Sequence, residues 1–236
     1  MIKGKRVLVV IPARGGSKGI PKKNIIPVAG KPLISYTTEL AMSLKWADGT
    51  VVSTDSAEIA EVALGTPGVE IVWRPDKLSG DRIGDRDVLV HALLEVEATR
   101  HVRFDVVVML QPTSPLRTGA NVEQCVALLL EKQWRAVWSV SETDPSCHPR
   151  KQLTLRDGEL DFYEAGGDQV VARQELSQVF HRNGVCYALT RDGLLDATSL
   201  WSPGKTSAVV ITGQHISIDT VEDLAQVEKI IDQTSI

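Results

Sequence analysis

Five short, nearly continuous apolar runs recur through the first 141 residues and alternate with segments of helical periodicity. The runs are RVLVVI (6–11), GTVVST (49–54), VEIVWR (69–74), DVVVML (105–110) and RAVWSVS (135–141). A strand that is apolar on both faces must be covered on both, as in a parallel sheet flanked by helices. Between the runs lie PLISYTTELAMSL (32–44), SAEIAEVAL (56–64), DRDVLVHALLEVEATR (85–100) and ANVEQCVALLLEK (120–132), each apolar at helical spacing. Ser56 and Asp85 supply helix-start signals for two of them. The alternation predicts a doubly wound α/β fold with a mostly parallel sheet. Ligands then belong at the carboxyl ends of the strands.

The rhythm breaks after residue 141. Residues 142–182 are polar and turn-rich, with RDGEL reading as a hairpin turn, and are expected to form an excursion from the sheet. Regular patterns resume at GVCYALTRDGLL (184–195) and SAVVIT (207–212). The segment 215–233 reads as a short strand followed by a helix that begins near Asp219 and Thr220. At 236 residues, the whole chain is expected to be a single domain carrying this one insertion.

The first strand runs straight into IPARGGSKGIPKKN (11–24), a loop holding Gly15, Gly16, Gly19 and four cations, in a chain of net charge -4. It is not a P-loop, because no glycine there precedes Lys-Ser or Lys-Thr, and its glycines do not spell G-x-G-x-x-G. Backbone N–H groups freed by the glycines can close on phosphate oxygens. Arg14 can bind a phosphate with two donors, and Lys18 and Lys23 add charge. The loop therefore reads as a polyphosphate cradle, against the alternative of a solvated surface loop.

The same loop resembles the signature of the acylneuraminate cytidylyltransferases, the enzymes that make CMP-sialic acid. The resemblance continues in order through VVSTDSAEIAEVA (51–63), RPDKLSGD (74–81), HALLE (91–95), LQPTSPLR (110–117), RQEL (173–176), NGVCYAL (183–189) and IDTVEDL (218–224). It implies transfer of CMP from CTP to the anomeric C2 hydroxyl of a nonulosonic acid, with release of pyrophosphate. Enzymes acting on the eight-carbon sugar Kdo share the fold but open on a different loop. An inactive relative that binds CTP is a further alternative.

By that resemblance Arg14, Lys18 and Lys23 hold the triphosphate and are the catalytic cations. Charge develops on the leaving pyrophosphate, so cations there stabilise the transition state more than the ground state. The nucleotide site would also include Ala13, Gly15, Ser17 and Asn24 from the loop, and Arg74, Ser79, Gly80 and Asp81 as cytosine and ribose contacts. Gln111, Lys151, Arg173 and Tyr187 are implied for the sugar, where a carboxylate calls for a guanidinium or ammonium. Tyr187 reads equally as a core aromatic, and Arg117 as either a ligand contact or a loop anchor. His91 reads as a structural histidine within a helix, while His148 lies in a loop and stays open.

The family places Asp-Ile-Asp-Thr near its C-terminus to serve magnesium, whereas this chain has Ser217-Ile218-Asp219-Thr220. Asp219 is left as the implied ligand for Mg2+ (or Mn2+), with water in place of the missing carboxylate. Magnesium commonly binds through one or two carboxylates together with substrate phosphates. Asp223 reads as first-turn charge of the helix that follows. The resemblance also implies a homodimer, with the excursion contributing to its interface.

Composition limits the partners. The net charge of -4 argues against nucleic acid. No apolar run approaches the roughly 18 residues of a membrane span, and the short basic start leads into the loop rather than into a signal-peptide core. Cys125, Cys147 and Cys186 are scattered and odd in number, which fits free thiols in a reducing cytoplasm.

Overall fold

The computed structural model describes residues 1–234. Eleven strands and six helices form among the described residues. They are β1 (Val7–Pro12), β2 (Pro27–Val28), β3 (Lys31–Pro32), α1 (Leu33–Ser43), β4 (Gly49–Thr54), α2 (Ala57–Leu64), β5 (Glu70–Trp73), α3 (Asp85–Arg100), β6 (Val106–Met109) and α4 (Gly119–Glu131). Then come β7 (Ala136–Glu142), β8 (Leu153–Arg156), β9 (Glu159–Phe162), β10 (Phe180–Thr190), α5 (Arg191–Asp196), β11 (Thr206–Val210) and α6 (Val221–Thr234).

Seven strands form the central sheet in the order β11-β7-β10-β6-β1-β4-β5. All neighbours in it pair in parallel except where β10 runs antiparallel between β6 and β7. Successive residues of β1 point to opposite faces, as the pleat requires. Val7, Val9 and Ile11 join a cluster with Ile34 of α1, Ile59 of α2 and Val126 of α4. Leu8 and Val10 pack instead with Leu89 and Leu93 of α3 and Leu194 of α5. That two-sided burial is why the strands read as continuous apolar runs. The chain leaves β1 toward β4 and β5, then returns to β6 on the other side of β1. A crevice opens where the order reverses, outside the carboxyl ends of β1 and β6.

Ser56 caps α2 by accepting the N–H of Ile59, as expected. Asp85 does not cap α3: Gly84 holds the cap position and Asp85 is the first helical residue. The hairpin turn in the excursion forms between β8 and β9. Asp157 (φ 52°) and Gly158 (φ 86°) both take positive φ there, as a tight two-residue turn demands. β10 begins at Phe180, four residues before the expected start.

Residues 215–218 are not a strand. Ile218 is buried and donates its N–H to the Thr113 carbonyl (2.8 Å), and Ser217 Oγ donates to Thr113 Oγ1 (3.1 Å). One residue of a loop thus anchors the segment and no ladder forms. Ser217 and Asp219 therefore do not lie on one face of a strand. Val227 of α6 packs with Ile20, Val28 and Leu33, which fastens the last helix over the opening loop.

Candidate active site

The loop after β1 is pinned to the end of β4 by its own backbone. Ala13 is buried and donates its N–H to the Ser53 carbonyl (2.9 Å), while the Gly15 N–H reaches the Asp55 carboxylate (2.7 Å). A Cβ on Gly15 would lie 3.1 Å from that of Ser56, closer than most side chains approach. Gly19 matters for a second contact, because a Cβ there would sit 2.9 Å from the Asp219 carbonyl oxygen. The buried Asn24 amide donates to the Arg14 carbonyl (2.9 Å) and braces the loop from inside.

The four cations of the loop are sorted by this geometry. Arg14, Lys18 and Lys23 line a cleft of about 430 Å³, together with Ser17, Asn24, Arg74 and other residues. Lys22 takes φ 53° and its ammonium pairs with Glu58 of α2 instead (2.7 Å). Asp81 receives both Arg14 Nη1 (2.6 Å) and Lys18 Nζ (2.5 Å). Those hydrogen bonds, Lys18's first, hold its carboxyl below the ordinary value. Asp81, implied as a cytosine and ribose contact, is the counter-ion of Arg14 and Lys18. Lys23 pairs with Asp219 (2.7 Å), and its side chain is only 16% exposed, so this charge is less screened than that of Lys18 at 77%.

Arg74, directly after β5, is buried. Its Nη2 donates to the Ser53 carbonyl (2.9 Å) and its Nε to Ser53 Oγ (3.3 Å), which fixes the guanidinium against the cleft wall. Burial lowers its pKa, and Asp55 and Asp85 oppose that shift. The Ser79 hydroxyl donates to the Pro75 carbonyl (3.2 Å) and serves the turn, while Gly80 lines the cleft.

Gln111 lines the cleft from the loop after β6. Gly184 takes φ +71°, and a Cβ there would stand 2.8 Å from Gln111 Oε1. Both the backbone conformation and the close approach call for glycine. Arg117 settles as a loop anchor. It is 5% exposed and donates to Thr37 Oγ1 (3.1 Å), the Gly184 carbonyl (3.2 Å) and the Gln111 carbonyl. Burial pushes its pKa down to about 9. Arg117→Ala is therefore expected to lower stability by about 2 kcal/mol, since it strips donors from buried carbonyls. Urea unfolding measures this, and an unchanged midpoint would contradict the anchoring role.

Three residues expected at the sugar lie outside this cleft. Tyr187 is 4% exposed and meets Trp138 edge-on, with ring centroids 5.6 Å apart, so it is a core aromatic of β10. Lys151 and Arg173 stand exposed on separate 3-10 turns of the excursion, near Asp144. His148 is buried and its Nδ1 accepts the Arg150 N–H (3.1 Å), a structural bond. His91 lies half-buried on α3.

The candidate metal position has one carboxylate. Asp219 is 68% exposed, and the Ser217 hydroxyl is occupied with Thr113. Asp223 accepts the N–H of Thr220 (2.8 Å) while Thr220 Oγ1 accepts that of Asp223 (3.2 Å). Asp223 is thus committed to capping α6. No group of three or more His, Cys, Asp or Glu side chains is placed to hold a metal among the described residues. A lone carboxylate beside a cation cradle fits an ion held mainly by phosphates and water, and does not fit a protein cage.

Residues 8–192 match the cytidylyltransferase family. This chain belongs to that family. Among similar proteins, a CMP-N,N'-diacetyllegionaminic acid synthase of Legionella pneumophila is 33% identical over 96% of this chain and 97% of its own length. A pseudaminic acid cytidylyltransferase of Campylobacter jejuni is 30% identical over 92% of each chain. An N-acylneuraminate cytidylyltransferase of Streptococcus agalactiae is also 30% identical, but this chain spans only 52% of it. In fold, the cytidylyltransferase is similar to CMP:2-keto-3-deoxy-manno-octonic acid synthetase complexed with CTP, with a TM-score of 0.70 at 20% identity over 97% of this chain and 99% of the other. A 4-diphosphocytidyl-2C-methyl-D-erythritol synthase of Anaerococcus prevotii gives 0.61 at 14% identity, over 98% and 100%. The chain is a nucleotidyltransferase with the α/β fold expected from its pattern.

Several residues of the cytidylyltransferase site carry no plain sequence signal. Asp55 could have been singled out, since it directly follows β4 at the end where ligands bind. Thr113 both lines the cleft and holds residues 217–218. Asp85 reads as a helix start, yet it lies on the cleft wall.

Proposed function

We propose that this cytidylyltransferase transfers CMP from CTP to the anomeric C2 hydroxyl of a nonulosonic acid and releases pyrophosphate. The convergence of Arg14, Lys18 and Lys23 on one cleft with Arg74 and Gln111 carries the reading. The names of the relatives in Legionella and Campylobacter support the acceptor class. In this reading the three loop cations receive the charge that collects on the leaving pyrophosphate, with Lys23 the best shielded from water at 16% exposure. Arg74, held by two bonds to Ser53, keeps Nη1 without a hydrogen bond to protein among the described residues, and serves the base.

Asp219 is the proposed ligand for Mg2+, which would add Lewis-acid polarisation of the phosphates. The proposed assembly is a homodimer, and the excursion supports it. Its β8–β9 hairpin exposes Leu155 at 69% and Leu160 at 62%, with Val171 nearby in sequence at 90%. Lys151 and Arg173 lie in the same excursion and are kept as sugar contacts. No helix is long and apolar enough to cross a membrane among the described residues, and the free cysteines fit the proposed cytoplasmic location.

Pyrophosphate release with CTP and a panel of pseudaminic, N,N'-diacetyllegionaminic and N-acetylneuraminic acids tests the function. Release with at least one of them is expected. Release only with Kdo redirects the acceptor, and binding of CTP without any release marks an inactive relative. CTP is expected to exceed UTP in kcat/KM by at least about tenfold, because a site that hydrogen-bonds an amine edge rejects a base lacking it. Equal values for UTP would remove base reading from Arg74 and its neighbours.

A further inference from the structure

A second cavity of about 420 Å³ adjoins the nucleotide cleft. The two share Ile83 and Asp85, so the start of α3 stands between them. The far side of the second cavity carries Trp138, Arg182, Leu200 and Trp201. The Arg182 guanidinium lies over the Trp138 ring, 5.8 Å from its centroid, and forms no ion pair among the described residues. An exposed indole, Trp201, and a stacked guanidinium with an unclaimed charge suit an acidic sugar, whose carboxylate takes the guanidinium and whose ring takes the aromatic faces.

Asp81 and Asp85, which line the cleft, and Asp55 and Asp219, which hold its loop, differ in what they already bind. Asp81 carries Arg14 and Lys18, Asp55 carries the Gly15 N–H, and Asp219 carries Lys23. Asp85 has neither an ion pair nor a side-chain hydrogen bond among the described residues. We propose that Asp85 is the general base of the reaction, taking the proton of the acceptor hydroxyl at the boundary between the two cavities. The inference rests on the function proposed above.

In the step, the acceptor O–H proton passes to the Asp85 carboxylate as the oxygen forms a bond to the α-phosphorus. The bond from that phosphorus to the bridging oxygen of pyrophosphate breaks, and its electron pair leaves with pyrophosphate toward Arg14, Lys18 and Lys23. Asp85 then returns the proton to water. Three groups face it: Arg74 directly after β5, and Arg182 and Tyr187 from β10. The neighbouring Arg86 is turned to the carbonyls of Leu194 and Leu195 and to Asp87. Although the Asp85 surface opens on the cavities, the dense protein around it raises its pKa, against the pull of Arg74 and then Arg182. A carboxylate whose pKa is raised is the stronger base in its ionised form. Because the ionised form acts, activity is lost as pH falls through this raised pKa.

The test is the pH dependence of turnover with CTP and whichever of the three nonulosonic acids the wild type accepts. Asp85→Asn is expected to lower kcat by about 10²-fold and to remove the acidic limb of the profile. Asp85→Glu should keep that limb and part of the rate. Calorimetric CTP binding and circular dichroism confirm that both variants are folded. An Asn variant whose kcat stays within about threefold of wild type, or that still shows the limb, overturns the assignment. A wild type inactive with all three acids overturns the functional reading and this inference together. An active wild type matched by Asp85→Asn overturns the inference alone.

Discussion

Lys23→Ala is expected to lower kcat by about 10²- to 10³-fold, the usual effect of deleting one preorganised donor that meets developing charge. Three observations single out this lysine. Its side chain is 16% exposed, it lines the cleft, and Asp219 holds its ammonium at 2.7 Å. A cation fixed before the reaction needs no reorganisation when pyrophosphate departs. Lys22 provides the control, because it sits one residue away with its ammonium on Glu58 (2.7 Å). Lys22→Ala should leave kcat within about twofold, as expected for a surface pair. Steady-state pyrophosphate release on both variants decides the matter. An unchanged kcat in Lys23→Ala would transfer the role to Lys18.

Asp219→Asn is expected to cost about 10³-fold in kcat, roughly 4 kcal/mol at 1.36 kcal/mol per tenfold. The substitution removes the proposed metal carboxylate and also releases Lys23 from its partner. Excess Mg2+ should recover only part of the loss, since added metal does not reposition the lysine. Ser217→Asp supplies a second anionic oxygen and is expected to lower the half-saturating Mg2+ concentration by about tenfold, because charge count tunes such sites. Turnover need not increase, and the Ser217 Oγ donor to Thr113 is lost. Magnesium titrations of wild type and both variants separate these effects. Full activity in Asp219→Asn would place the metal elsewhere.

Much of this architecture is legible in the chain itself. The β-branched runs become β1, β4, β5, β6 and β7 within one or two residues, because strands buried on both faces must be apolar throughout. The four helices expected between them form where the apolar spacing places them. The opening loop declares itself through three glycines and its cations. The antiparallel course of β10 is not legible, since its run Val185–Leu189 is as apolar as those of its parallel neighbours.

The division between local and distant information explains the rest. Composition and periodicity established the sheet, its helices and the polyphosphate loop, because each depends on burial repeated every two or 3.6 residues. Only the tertiary structure decided which charge meets which. Lys22 and Lys23 are adjacent and chemically alike, yet the left-handed backbone at Lys22 helps turn one toward α2 and the other into the cleft. Arg117 became an anchor only once Gln111 and Gly184 were brought together around it. Asp85 came to divide two cavities only once α3 had packed beside β10 and the loop after β1. An ion pair has no period in sequence, and Lys23 finds Asp219 across 196 residues because the closing of the fold brings them within 2.7 Å.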